Sequence, residues 1–251
     1  MTFALETQEL TIRFGGHVAV DAVSCGFAPG TLTAIVGPNG AGKTTYFNLI
    51  SGQLRASSGK VFLHGEDISS TSAPQRSHRG IGRAFQLTNL FPNLTVLENI
   101  RLAVQSRAGL GLNMWSIWSS HRDLIGRAEE VLETVALEAK RSVAASALPH
   151  GDQRKLEVAI LMALEPDIFM FDEPTAGMSV DEVPLILDLI RALKARRDKT
   201  ILLVEHKMDV VRSLSDRIVV LHQGKLVADG KPAEVINSDI VREAYLGGAA
   251  A

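Results

Sequence analysis

The stretch "GPNGAGKTT", residues 37–45, satisfies the pattern G-x-x-x-x-G-K-[ST] at every constrained position. It follows the apolar run "TLTAIV" and opens "KTTYFNLI", a segment with helical patterning. Strand, glycine-rich loop and helix in that order make a phosphate-binding loop. Gly37, Gly40 and Gly42, with Pro38, Asn39 and Ala41 between them, let backbone N–H groups face an anion, and the helix N-terminus adds partial positive charge. Lys43 brings a full charge for the β- and γ-phosphates. Thr44 brings a hydroxyl for Mg²⁺, and Thr45 completes the motif.

Working outward, short runs closed by Gly, Pro or Asp read as strands: "ALETQELTIRF", "TLTAIVG", "KVFLHG", "DIFMFDEP", "TILLVEH", "RIVVLHQG" and "KLVADG". "TAIVG", "DIFMFD", "TILLVE" and "RIVVL" are almost continuously apolar, as central parallel strands covered on both faces are. The early runs alternate, as in a half-exposed antiparallel sheet. Helical stripes lie between them: Leu124, Ala128, Val131, Leu132 and Val135 share one face, and so do Leu185, Ile186, Leu189, Ile190 and Leu193. The expected fold is α/β, a P-loop NTPase core over 1–86 and 165–251 with an antiparallel β subdomain, and a helical subdomain over 87–164.

The chain has 251 residues, 46% hydrophobic and 22% charged, a composition of ordinary globular proteins. A formal net charge of -2 argues against a nucleic-acid binder held by phosphate neutralisation. The single cysteine, Cys25, excludes an intrachain disulfide and reads as a small buried hydrophobe. The N-terminus lacks the pattern of a signal peptide, and no apolar run approaches the roughly 18–20 residues that span a bilayer.

Two further strand ends carry chemistry. "DIFMFDEP" ends in Asp172, placed to hold Mg²⁺ as a Walker B aspartate does, and Glu173, placed as general base for an attacking water. "TILLVEH" sets His206 at the same end of the sheet, where ligands of open α/β sheets bind.

Taken together these residues resemble the nucleotide-binding domain of ATP-binding cassette (ABC) transporters, and the resemblance covers essentially the whole chain. It implies that Phe14 stacks on adenine and that Gln86 is the Q-loop glutamine, which senses Mg²⁺ and couples to membrane subunits. It makes Gly37 to Thr45 the Walker A motif, Glu173 the catalytic glutamate and His206 the switch histidine of an ATPase. "LPHGDQ", residues 148–153, stands where the family has its signature LSGGQ, which caps the γ-phosphate of ATP held by a partner subunit.

Pro149, His150 and Asp152 depart from that signature, while Gly151 is kept. Proline suits a first helical position, and the N–H groups of His150 and Gly151 remain available to an anion. Asp152 would repel phosphate and is expected to point away. In the D-loop, Ser179 stands where the family usually has aspartate. Both segments that reach a partner's nucleotide are therefore altered, which suggests a heterodimer with two unequal sites.

The tail "GKPAEVINSDIVREAYLGG" looks like that of ATPases in branched-chain amino-acid importers. That group implies a second ABC ATPase, two membrane-spanning permease subunits and a periplasmic or extracellular solute-binding protein. The chain would then lie peripherally on the cytoplasmic face of the inner membrane, without nucleic acid. Urea and short-amide importers share these traits, and a lipopolysaccharide-exporter ATPase is similar but homodimeric. A non-transport cassette usually carries two cassettes or a long coiled coil, and neither is present here. Trp115 and Trp118 fit either core packing or an apolar face toward a permease.

Overall fold

Ten strands form two sheets among the residues that the computed structural model describes, 2–84, 90–110 and 122–238. The antiparallel sheet contains β1 (Leu5–Phe14), β2 (His17–Phe27), β4 (Ser58–Leu63) and β5 (Glu66–Asp67), in the order β2-β1-β4-β5. The second contains β3 (Leu32–Val36), β6 (Ile81–Ala84), β7 (Ile168–Asp172), β8 (Thr200–Val204), β9 (Arg217–His222) and β10 (Lys225–Gly230). Its order is β10-β9-β3-β8-β7-β6.

The pairings β3–β8, β3–β9 and β7–β8 are parallel, and β3, β7 and β8 are buried at every residue. This is the behaviour that their unbroken apolar runs dictate. β9 and β10 form an antiparallel hairpin whose turn, Gln223-Gly224, has positive φ at both residues. The alternating early runs lie in the antiparallel sheet.

The helices are α1 (Lys43–Ser51), α2 (Ala73–His78), α3 (Val96–Arg107), α4 (Arg122–Thr134), α5 (His150–Leu164), α6 (Val183–Ala195), α7 (Met208–Leu214) and α8 (Pro232–Ile236). The chain divides into two compact units: 1–81 with 167–173 and 193–251, and 82–166 with 174–192.

In the first unit, Tyr46, Phe47 and Ile50 of α1 join one core with Leu5 and Phe27 of the antiparallel sheet and Met170, Leu202 and Val219 of the other. The Tyr46 hydroxyl lies 2.7 Å from Thr7 Oγ1, so this large buried side chain keeps its polar end satisfied. Arg76, 3% exposed, donates at 2.7 Å to the carbonyls of both Leu49 and Ile50. It closes the C-terminal end of α1 with a positive charge, where orphan carbonyls and the helix dipole favour one.

In the second unit α3, α4 and α5 pack on one another, with Ala128, Leu132 and Val135 buried. α3 starts at Thr95, whose hydroxyl accepts from the Glu98 N–H while Glu98 returns a bond to the Thr95 N–H, a capping box.

Three strands are not evident in the sequence reading. β2 was not among the runs singled out, β5 has only two residues, both acidic, and the four residues of β6 contain a glycine and too little apolar periodicity to declare a strand. Gln86, Trp115, Trp118 and the tail beyond 238 lie outside the described residues.

Candidate nucleotide site

β3 ends at Val36 and the chain turns through 37–42 before α1 begins at Lys43. Gly42, the N-cap residue, has φ 95°, and a methyl group there would overlap the Ala19 carbonyl. Only glycine meets both demands. The N–H of Tyr46 then reaches the Gly42 carbonyl at 2.8 Å and closes the first helical turn.

A cavity of about 420 Å³ lies over this loop. Asn39 and the residues from Gly40 to Thr45 form its floor, Phe14, His17 and Ala19 one wall, and Glu173 and His206 another. Phe14 is 50% exposed at the end of β1, on the wall of this cavity.

Lys43 is 6% exposed and its Nζ donates to the carbonyls of Gly37 at 2.7 Å and Pro38 at 3.0 Å. Burial holds its ammonium below the ordinary lysine range, against the opposing pull of the Glu173 and Asp172 carboxylates. Those two carboxylates thus face the loop's cation.

Asp172 ends β7 and is 5% exposed. Glu173 follows with φ 53°, a conformation costly for a side-chain-bearing residue, and its N–H is held by the Val204 carbonyl at 2.9 Å. His206 Nε2 lies 2.5 Å from Glu173 Oε1. The turn that carries His206 is fixed by Glu205, 3% exposed, whose Oε2 accepts from the His206 N–H at 2.8 Å.

For Mg²⁺, the described residues contain no cluster of three or more acidic, His or Cys ligands. One threonine hydroxyl and one aspartate beside a phosphate loop fit a Mg²⁺ ion carried largely by phosphate oxygens and water.

The signature segment lies in the second unit. Pro149 is the N-cap of α5, with ψ 155°, and the helix begins at His150. This corrects the placing of proline at the first helical position: its extended ψ belongs to the residue outside the helix, and it offers no side-chain cap. Asp152 is buried and held by Lys140 and, at 3.0 Å, by Lys155. Burial raises its pKa, but the two lysines outweigh that and leave it below the ordinary aspartate value.

Ser179 does not offer a free hydroxyl. It donates to Glu182 Oε2 at 2.9 Å, and the Ser179 N–H reaches the same oxygen at 3.1 Å. The sequence "SVDE" is a capping-box pattern, S-x-x-E, that the D-loop reading passed over. Glu205, Arg76 and His17 also went unremarked in the sequence. Of these only Glu205, an acid directly before His206, offered a local signal.

A family model described as ABC transporter matches residues 20–176. The chain belongs to the ABC transporter family. A second model, described as branched-chain amino acid ATP-binding cassette transporter, matches residues 225–251 and gives this ABC cassette its type.

The cassette is 37% identical over 248 residues to the high-affinity branched-chain amino acid transport ATP-binding protein LivG of Escherichia coli (strain K12), covering 97% of each chain. It is 38% identical over 249 residues to the corresponding protein BraF of Pseudomonas aeruginosa, with 97% of each chain covered. The lipopolysaccharide export system ATP-binding protein LptB of Acidithiobacillus ferridurans is 32% identical, covering 98% of each chain. The fold of this chain is similar to the ADP conformation of an ATP-binding cassette of an ABC transporter, with TM-score 0.83, 29% identity, and coverage of 98% of this chain and 99% of the other. No helix among the described residues of this cassette is long and apolar enough to cross a membrane.

Proposed function

We propose that this cassette hydrolyses ATP to drive solute import, as one of two unlike ATPase subunits on two permease subunits supplied by a solute-binding protein. The observation that carries hydrolysis is the joined pair Glu173 and His206 on the wall of the phosphate-loop cavity. Adenine stacks on Phe14, the phosphates lie on the amides of residues 40–45, and Lys43 turns from its own carbonyls to the phosphate oxygens. Glu173 accepts the proton of the attacking water and His206 holds that carboxylate in place. Thr44, Asp172 and Gln86 would hold Mg²⁺, which would supply positive charge against the phosphates.

The names of the LivG and BraF relatives favour branched-chain or other hydrophobic amino acids as the solute. The alternatives are a urea or amide importer and, from LptB, an exporter of lipopolysaccharide. Cytoplasmic docking at the inner membrane follows from the permease partners. Gln86, two residues after β6 in the sequence, is the proposed coupling residue.

A gentle detergent pull-down from native cells tests the reading. Two permeases and a second cassette ATPase are expected. A homodimer of this chain, or a complex on nucleic acid, would overturn it. Leucine-stimulated ATPase activity of the reconstituted complex then tests the solute class.

A further inference from the structure

Two segments of the helical unit meet around one carboxylate. Glu182 stands three residues after Ser179 and its Oε2 takes both the backbone N–H and the hydroxyl of that serine. The same carboxylate lies against Gly151 in the first turn of α5, where a methyl group would overlap both Oε1 and the carboxyl carbon. Alongside, the His150 ring covers Gly177, with Cε1 3.2 Å from where a methyl on Gly177 would sit.

Gly151 is not among the glycines with positive φ. It is an ordinary helical residue, so backbone freedom does not explain why it must be glycine. The Glu182 carboxylate occupies the volume that a side chain would need, so a methyl group there must displace it from its bonds to Ser179.

We propose that Glu182 is a positioning residue that clasps the 177–182 loop to the first turn of α5, and that Gly151 is glycine because this carboxylate occupies its side-chain space. The inference rests on the dimeric ATPase reading, in which these two segments reach the partner's nucleotide. Glu182 sets their mutual register. It also absorbs the Ser179 hydroxyl, so the loop meets the partner with its backbone rather than that side chain. His150 is left with its ring on Gly177, and its N–H remains among the free amides of the helix start.

The test is a double-mutant cycle in the reconstituted transporter complex: Gly151→Ala, Glu182→Ala and both together, with Glu182→Gln as the conservative variant. Glu182→Ala is expected to lower kcat about tenfold, with ATP affinity of the chain's own loop unchanged. Glu182→Gln, whose amide oxygen still accepts from Ser179, retains most of the activity. Gly151→Ala costs about tenfold or more with Glu182 present and under about threefold once Glu182 is alanine.

Equal losses in both backgrounds would overturn the clasp and leave the glycine serving the phosphate directly. The same cycle in the melting temperature of the isolated full chain reads the packing alone. Coupling in melting but not in kcat makes Glu182 merely structural and overturns the positioning role. Coupling in melting with no effect of Gly151→Ala on the complex also overturns it, and places the fault in the dimeric reading. Should Gly151→Ala not fold, equal losses in Glu182→Gln and Glu182→Ala overturn the proposal.

Discussion

His206 Nε2 and Glu173 Oε1 are 2.5 Å apart, on residues that follow two adjacent parallel strands, β8 and β7. With the carboxylate as acceptor, the imidazole donates from Nε2 and leaves the other Glu173 oxygen for water. Glu173→Gln is expected to bind ATP normally and to lose roughly 10²–10⁴-fold in hydrolysis. His206→Ala acts through the same carboxylate, so the double variant should be little worse than Glu173→Gln alone. Unchanged turnover in Glu173→Gln would remove that residue from the mechanism; single-turnover hydrolysis is the measurement.

Lys43→Ala removes the charge over the loop. A hydrogen bond to a charged group contributes about 1.5–3 kcal/mol, so ATP affinity should fall roughly ten- to a hundredfold. Equilibrium binding of a fluorescent ATP analogue checks this, and wild-type affinity would refute the phosphate role.

Phe14 is expected to recognise the base and nothing else. Aromatic stacking contributes about 0.5–1.5 kcal/mol, so Phe14→Ala should weaken ATP binding roughly two- to tenfold. Binding of inorganic triphosphate, which has no base to stack, should not change. Equal weakening of both ligands would place Phe14 in the support of the loop instead.

Asp152 carries a pH-dependent share of stability. Its folded pKa is depressed, so the stabilisation is present above the unfolded value near 3.8 and is lost as pH falls through the folded value. Asp152→Asn should cost about 1–2 kcal/mol at pH 7, a figure reduced because Lys140 is 42% exposed. The difference from wild type should shrink as the pH drops below 3.8. Urea titrations across that range test it.

Cys25 should be inert. Burial pushes its thiol pKa up to about 12, with Arg217 pulling weakly the other way. A thiol, not a thiolate, is therefore present at pH 8, and iodoacetamide should label it only after unfolding. Because the folded pKa is raised, this residue's contribution to stability is complete below pH 9.0 and is lost as pH rises toward 12.

The parts of the site that are contiguous in sequence were legible there. The phosphate loop declares itself by glycine spacing between a strand and a helix, and Asp172, Glu173 and His206 follow unbroken apolar runs that form buried parallel strands in the structure. Asp152 was read by its charge alone, and its partners Lys140 and Lys155 went unremarked. Arg76 was not readable: it finds Leu49 and Ile50 across more than twenty residues, and nothing local distinguishes it from a surface arginine. Ser179 was read for what it lacks relative to aspartate, when its partner Glu182 was three residues away in a recognisable capping pattern. Gly151 was recognised as the retained glycine, but the carboxylate beside it is a tertiary fact.

The Lys43 ammonium, bonded to the Gly37 and Pro38 carbonyls, braces the phosphate loop from within. An arriving triphosphate swaps one pair of oxygen acceptors for another rather than organising a disordered coil. On the proposed function, that exchange keeps the buried ammonium on oxygen throughout, so nucleotide arrival never leaves a desolvated charge without acceptors.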